Sequence, residues 1–336
     1  MNRRTFNATG LAAVLTPPPR PASADEVVPE LPGYQVAAIN GGLLTARHSG
    51  MARAQSPVDD ETLFQVASCS KTVTALAVLT LVRDARVDLY APVNRYLRNW
   101  QLPGPRGGTA TIAELMSHTA GTTVSGFVGY GAGEKLPDLS DILAGHPPAN
   151  SGAIRARRRL FGPFRYSGGG TMVLQALIED VSGKAFGAYT AEEVLKPVGA
   201  SAATFAITPP DHFAHGSFGN GRPLPEGFRR HPESAAAGLW ATASDLARVF
   251  QAVLHALGGA RHAIIPVVLA ERMVTPVSEG SGLGVFISRG TTIWHQGRNL
   301  GFDSVVAAEL GTGRVRAAVT NRNGALDTYS RQLVEG

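Results

Sequence analysis

The chain has 336 residues, of which 44% are hydrophobic and 17% charged, and its formal net charge is +5. This composition can bury a sizeable core and excludes an intrinsically disordered chain. No run of eighteen or more apolar residues predicts a transmembrane segment, and no basic run with interleaved aromatic residues predicts a nucleic-acid partner. The one cysteine, Cys69, excludes an internal disulfide and a cysteine-based zinc site.

The first residues predict an export signal. Arg3 and Arg4 precede an apolar run over residues 8–15, and residues 22–24 (Ala-Ser-Ala) form a small-residue cleavage site. We therefore expect residues 1–24 to be removed and the mature protein to be periplasmic or secreted. The order Arg-Arg-Thr-Phe also resembles a twin-arginine signal, so both that route and the general secretory route stay open. The alternative is a disordered tail. Loss of the three arginines in this segment lowers the net charge from +5 to +2, which is too little for nucleic-acid binding.

A hairpin and a buried helix are predicted in the first quarter of the mature chain. Residues 33–49 alternate β-forming side chains around Gly41 and Gly42, which favours two strands joined by a tight turn. Residues 70–83 contain neither Gly nor Pro and are apolar nearly all round. This pattern indicates a helix buried on every side.

The rest of the chain predicts helices first and strands afterwards. Residues 86–234 mix helical patterns at 112–117 and 171–181 with loops rich in Gly and Pro. A further helix is predicted over 244–257, with Thr242 or Ser244 near its N-cap. The last elements are strands at 283–287, 291–295, 304–309 and 314–320 and a closing helix from residue 327.

Strands at both ends of the sequence with helices between them predict one mixed α/β (α+β) domain over residues 25–336. Its antiparallel sheet is built from both termini and carries flanking helices, in an α/β lobe of about 25–85 and 235–336. A helical lobe of about 86–234 is inserted between these two parts. We expect the active site in the cleft between the lobes.

The pair Ser68 and Lys71 carries the clearest chemical signal. A serine hydroxyl is a poor nucleophile and needs a neighbouring base. At the start of a helix, residues three apart share a face, and the positive helix end favours negative charge developing near Ser68. The alternative is an exposed lysine on a helix whose serine is merely the N-cap.

Five ordered segments resemble one family of serine hydrolases, which comprises class C β-lactamases, DD-peptidases and related esterases. The family's nucleophile segment resembles Phe-Gln-Val-Ala-Ser-Cys-Ser-Lys-Thr at residues 64–72. The other four matches are residues 87–97, residues 115–121 (Leu-Met-Ser-His-Thr-Ala-Gly), residues 164–170 (Phe-Arg-Tyr-Ser-Gly-Gly-Gly) and Trp-His-Gln-Gly at 294–297 followed by Gly-Phe at 301–302. The resemblance implies a β-lactamase/transpeptidase-like fold and hydrolysis through an acylated serine.

The same resemblance implies the catalytic roles. Ser68 would attack the carbonyl carbon, while Lys71 and Tyr166 would handle its proton, and which of the two is the base stays open. The backbone N–H groups of Ser68 and Arg298 would form the oxyanion hole. His295 would hydrogen-bond near Ser68 or Tyr166 and orient the substrate.

The resemblance places three further residues beside the substrate, namely Gly297, which allows close approach, Gln296 and Gly168. His118 would be structural and tie its own loop, and Cys69 would point into the core. No organic cofactor or metal is implied. His212 and His215 have a spacing that could bind a metal, but no third ligand is evident.

Two departures from the family pattern bear on the substrate. Gly168 replaces the asparagine that contacts a substrate amide, and His295 replaces the lysine that meets a β-lactam carboxylate, unless Arg298 substitutes for it. The expected substrate is therefore a small ester or a D-alanyl-D-alanine-like peptide, before a β-lactam. A true β-lactamase, a penicillin-binding sensor that is acylated once, and a scaffold without chemistry are the alternatives. The sequence predicts no oligomeric state.

Overall fold

The structure is a computed structural model, and it describes residues 32–158 and 163–335. The predicted export signal lies outside these residues. The strands are β1 Gly33–Asn40, β2 Leu43–Arg53, β3 Ser56–Pro57, β4 Phe64–Gln65, β5 Trp240–Ala241, β6 Phe286–Ser288, β7 Thr292–Asn299, β8 Phe302–Glu309 and β9 Val315–Thr320. The helices are α1 Ser70–Arg83, α2 Ile112–Met116, α3 Leu139–Ala144, α4 Gly168–Ser182, α5 Phe186–Thr190, α6 Ser234–Ala237, α7 Ala243–Leu257, α8 Val267–Val274 and α9 Asp327–Glu335.

Seven of the strands form one antiparallel sheet in the order β3-β2-β1-β9-β8-β7-β6. The hairpin of β1 and β2 pairs with β9, so Val36 lies opposite Ala318 although the two are far apart in sequence. This confirms the predicted fold class, a mixed α/β fold whose sheet is completed by both ends of the chain. The short strands β4 and β5 pair with each other in a separate two-stranded sheet.

The core lies between the sheet and the helices behind it. Residues from Ser70 to Leu81 of α1 are all buried, as the apolar pattern predicted, because α4, α5 and α6 pack around this helix. Helix α7 packs on the face formed by β1, β9 and β8, and α4 and α6 pack against α1. No helix among the described residues is both long and apolar enough to cross a membrane.

Several boundaries differ from the prediction by a few residues, and two of them have a local reason. The strand predicted at 283–287 forms only as Phe286–Ser288, because Gly284 turns the chain with φ +75° close to Ala75 of α1. Helix α7 begins after Thr242, whose hydroxyl accepts from the backbone N–H of Asp245, so Thr242 and not Ser244 is its N-cap.

Candidate active site

Ser68 lies in a short 3-10 turn, Ala67–Cys69, that leads directly into α1. Ala67 has φ +47°, a backbone conformation that costs energy for a residue with a side chain. The turn is held by Ser70, whose buried hydroxyl donates to the Ala67 carbonyl at 2.5 Å and accepts from Leu239 N at 3.0 Å. The Ser68 hydroxyl is therefore presented on a fixed turn at the positive end of a buried helix.

The Ser68 hydroxyl has two polar neighbours from different parts of the fold. Lys71 Nζ donates to Ser68 Oγ at 3.0 Å, and the Tyr166 hydroxyl donates to it at 2.9 Å. Lys71 is 5% exposed and also donates to the Ala236 carbonyl of α6 at 2.7 Å. Both predicted proton carriers thus meet the predicted nucleophile, although Tyr166 is 98 residues away in sequence.

Tyr166 is held in place by the loop around His118. The His118 carbonyl accepts from Arg165 N at 2.8 Å, and its ring Nδ1 accepts from Ser167 N at 3.3 Å. The centroids of the His118 and Tyr166 rings lie 4.4 Å apart. Burial, followed by the neighbouring Lys71 charge, lowers the pKa of His118 to about 3, so its ring is neutral. The sequence had suggested that His118 ties only its own loop. In the structure it also holds the segment that carries Tyr166.

Gly297 on β7 lies against the turn Ala67–Cys69, called the nucleophile turn because it carries the predicted nucleophile Ser68. A Cβ at this position would be 2.1 Å from the Val66 carbonyl oxygen and 2.8 Å from Ser68 N, so no larger residue fits. Strand β6 pairs with β7 only as far as Trp294, so within residues 32–158 and 163–335 the β7 backbone from His295 onward has no strand partner on that side. This edge and the N-terminus of α1 border the same space, as an oxyanion hole formed by Ser68 and Arg298 requires.

His295 is buried at 2% exposure and lines the cleft. Its Nδ1 donates to the Gln296 carbonyl at 2.8 Å, and among the described residues it makes no hydrogen bond to Ser68 or Tyr166, near which the sequence had placed it. Burial and the Lys71 charge lower the pKa of His295 to about 3. The ring of Phe286 lies 5.3 Å from that of His295 and 6.2 Å from that of Tyr166, so this wall of the site is aromatic and uncharged.

Arg298 is engaged by two acids. Its guanidinium donates to Asp303 at 2.9 Å and also to Asp327 at the start of α9. Asp303 is 3% exposed, so this pair is shielded from solvent on the Asp303 side. The positive charge of Arg298 is therefore already balanced within the protein.

Other predicted residues lie outside the reacting groups. Gly168 is buried at the start of α4, where a Cβ would be 2.9 Å from the ring of Phe127, and it does not line the cleft. Cys69 is buried against Ser304, and burial raises its pKa to about 12, so it is inert as the sequence suggested. His212 Nε2 donates to the Asp59 carboxylate at 2.7 Å, whereas His215 packs on the ring of Phe213.

The cleft in front of Ser68 has a volume of about 460 Å³. Sequence reasoning identified Tyr166, His295, Gln296, Gly297 and Arg298 in its wall. It missed the residues that reach the cleft from neighbouring elements through long-range packing, which are Phe286, Asp303, Ser304, Leu326, Asp327 and Ser330. The one feature of the sequence that could have pointed to Phe286 is its place as a hydrophobic residue in the strand predicted at 283–287.

Comparisons with known proteins agree with this geometry. The family model described as Beta-lactamase matches residues 24–334. Esterase EstB from Burkholderia gladioli is 29% identical over 260 residues, which cover 65% of this chain and 64% of EstB. The penicillin-binding protein PbpX of Bacillus subtilis, described as putative in its name, is 28% identical over 173 residues, which cover 50% of this chain and 40% of PbpX. The chain thus spans less than two thirds of either relative.

Two solved structures share the fold. The octameric penicillin-binding protein homologue from Pyrococcus abyssi has a TM-score of 0.71 at 23% identity, covering 88% of this chain and 70% of that one. The D-amino acid amidase from Ochrobactrum anthropi SV3 has a TM-score of 0.72 at 19% identity, covering 91% of both chains. The architecture is therefore that of penicillin-binding-protein-like and amidase structures.

Proposed function

Because this chain belongs to the β-lactamase family, we propose that it is a serine hydrolase that cleaves carboxylic esters or amides through an acyl-enzyme on Ser68. The observation that carries the proposal is the pair of hydrogen bonds to Ser68 Oγ from Lys71 at 3.0 Å and Tyr166 at 2.9 Å. A serine activated by two positioned proton carriers, beside an open strand edge, suits acyl transfer.

The groups present account for each step. Ser68 Oγ bonds to the substrate carbonyl carbon while its proton passes to Lys71 or Tyr166, whichever is deprotonated, and the geometry allows either. The tetrahedral intermediate collapses, the bond to the leaving alcohol or amine breaks, and that group takes the proton. Water then attacks the serine ester with the same proton carriers, which releases the acid and restores Ser68.

The charges of the cleft favour neutral substrates. Arg298 is bound by Asp303 and Asp327, His295 is neutral, and Gly168 offers no amide side chain. A substrate carboxylate therefore has no uncommitted arginine to meet at this wall among the described residues. Esters also need less assistance at the leaving group than amides. We infer that small uncharged esters are cleaved better than D-alanyl-D-alanine peptides or β-lactams, which agrees with the esterase name of one relative.

A substrate panel tests this proposal. The protein and its Ser68→Ala variant are incubated with a chromogenic short-chain ester, an acyl-D-alanyl-D-alanine peptide and a chromogenic cephalosporin, with product release and intact mass followed together. We expect turnover of the ester above all, absent in Ser68→Ala. An adduct without turnover on every substrate would instead indicate a sensor that is acylated once.

The role of Arg298 in this preference has its own test. Asp327→Asn removes one of the two negative charges that bind the Arg298 guanidinium. Asp327→Glu retains that charge and is the matched control. The asparagine variant should raise kcat/KM for the carboxylate-bearing peptide by about 3- to 10-fold relative to the neutral ester. No change in this ratio would show that Arg298 does not limit the binding of acids.

We also propose that the protein is exported. The proposal rests on Arg3 and Arg4, the apolar run after them and the Ala-Ser-Ala sequence at residues 22–24. Fractionation of cells that produce the full chain, with Arg3→Lys/Arg4→Lys as the comparison, tests it. Export that the double variant blocks would assign the twin-arginine route, and export that it leaves intact would assign the general route. Retention of the wild-type chain in the cytoplasm would refute export.

A further inference from the structure

A buried acid lies behind the catalytic lysine and has no role in the steps above. Glu233, immediately before α6, is fully buried, and its carboxylate oxygen Oε2 is 3.8 Å from Nδ1 of His231, which is itself buried. None of the four polar side-chain atoms of these two residues makes a hydrogen bond of normal geometry among the described residues. Since buried polar groups are nearly always paired, such a group calls for an explanation in terms of strain or function.

The surroundings of this pair leave little room for it to move. The Tyr130 hydroxyl lies beside the Glu233 carboxyl and accepts from Asn150 N at 2.9 Å. A Cβ on Gly129 would be 2.7 Å from the His231 ring, so the loop before Tyr130 presses directly on the imidazole. The Glu233 carboxyl and the His231 imidazole are therefore packed beside each other in a confined, buried space.

Helix α6 connects this pair to the active site. The Glu233 carbonyl accepts from the N–H groups of Ala236 and Ala237, which form the first turn of α6. The last three carbonyls of the helix are each used by a buried side chain: Ala235 O accepts from Thr74, Ala236 O accepts from Lys71 at 2.7 Å, and Ala237 O accepts from Asn299. A shift of Glu233 is thus passed to the Lys71 ammonium through one turn of helix.

We propose that Glu233 is a positioning residue for Lys71: its buried carboxyl, packed 3.8 Å from the His231 ring, anchors α6 and so fixes the Ala236 carbonyl that holds the lysine beside Ser68. The inference rests on the proposed function, since it assumes that Lys71 assists the acylation of Ser68.

The protonation states agree with this arrangement. Burial raises the pKa of Glu233 to about 7, against smaller opposing effects of its own backbone N–H and of Tyr130. Burial, and then the Arg229 charge, lower the pKa of His231 to about 3. Among the described residues, Glu134 also faces the cluster through Tyr130, on which its charge acts. Below pH 7 the pair is neutral, and above it a buried carboxylate must find new partners.

The test compares pH profiles of three variants on a chromogenic ester. Glu233→Gln keeps the shape and a hydrogen-bond donor but cannot ionise, Glu233→Ala removes the anchor, and Glu271→Gln on the exposed face of α8 is the matched control. We expect wild type and Glu271→Gln to lose kcat with an inflection near pH 7, and Glu233→Gln to lack it while keeping wild-type kcat at about pH 6 within about 2-fold. Glu233→Ala should lower kcat by at least about 10-fold with KM little changed.

Each failure is distinguishable. A wild-type pH profile in Glu233→Gln, or a kcat for Glu233→Ala equal to that of wild type, would refute the positioning role while leaving the chemistry of Ser68 intact. Ester hydrolysis that persists in Ser68→Ala would instead refute the proposed function. If Glu233→Ala does not fold, the glutamine variant alone decides, because its pH profile reports on ionisation and not on stability.

Discussion

Ser68 depends on two side chains that reach it from separate elements. Lys71 comes from the same helix and Tyr166 from the turn before α4, and each donates a hydrogen bond to the one hydroxyl. Because both donate in the resting arrangement, one of them has to lose a proton before Ser68 can be activated. A change that removes either phenol or ammonium therefore acts on the proton transfer and not on substrate binding.

Replacing Tyr166 by phenylalanine tests this statement. Tyr166→Phe removes the hydroxyl and keeps the ring that packs on His118 at 4.4 Å between centroids. We expect kcat for the ester to fall by about 10²- to 10⁴-fold, the usual contribution of a positioned acid or base, with little change in the melting temperature. Steady-state kinetics and thermal unfolding measure both. A decrease of less than about 3-fold would show that Lys71 alone carries the proton.

Gly297 sets the distance between β7 and the nucleophile turn. A methyl group at this position would overlap the Val66 carbonyl at 2.1 Å and approach Ser68 N at 2.8 Å, and neither backbone atom can move without moving the nucleophile. We expect Gly297→Ala to lower kcat/KM by about 10²-fold or more, as misplacement of catalytic groups by 1 Å does. Gly311→Ala is the control, because a Cβ there meets nothing within 4 Å and its φ is not positive. Equal activity of the two variants would contradict the close approach.

At the scale of elements, local patterns predicted the helix and strands that run through the core but not the contacts between them. The apolar stretch of α1 and the alternation of β1 depend on neighbours in sequence, so the sequence could reveal them. The contact of Lys71 with the Ala236 carbonyl and the pairing of Arg298 with Asp327 join distant segments, and no local pattern encodes them. The family resemblance located Tyr166, but it could not locate Phe286.

The N-terminal cap of helix α7 contributes to the stability of the fold, because this helix packs on the sheet. Thr242 Oγ1 accepts from Asp245 N at 3.0 Å, and Asp245 Oδ2 accepts from Thr242 N at 3.1 Å, a reciprocal cap that is almost fully buried. We expect Thr242→Val, which preserves shape, to lower the free energy of unfolding by about 1–3 kcal/mol. Chemical denaturation measures this, with the exposed Thr312→Val as control. An effect equal to that of the control would show that the cap contributes nothing.

For the whole molecule, buried titratable groups set the pH dependence of stability. Burial lowers the pKa of each of His118, His231 and His295 to about 3, from an ordinary value of 6.5. The unfolded chain therefore takes up protons between pH 6.5 and pH 3 that the folded chain does not, and stability falls as the pH is lowered through this range. Glu233 acts in the opposite sense, because its pKa is raised from 4.5 to about 7.

The contribution of Glu233 can be isolated by substitution. The folded state holds its proton up to about pH 7 while the unfolded state releases it near 4.5, so the free energy of unfolding loses up to about 3 kcal/mol as the pH rises between these values. Glu233→Gln removes that loss. Denaturant unfolding should show the variant gaining stability relative to wild type from about pH 5 to about pH 7.5. A difference that does not change with pH would mean that Glu233 does not titrate in the folded protein.

The central claim is that Ser68 is the residue that becomes acylated, and rapid mixing with a slowly hydrolysed chromogenic ester followed by acid quench and peptide mass mapping tests it most directly. We expect an adduct of the mass of the acyl group on the peptide that contains Ser68, formed in a burst with one equivalent of leaving group, and no adduct in Ser68→Ala. An acyl group found on another residue, or hydrolysis by Ser68→Ala at the wild-type rate, would contradict the account.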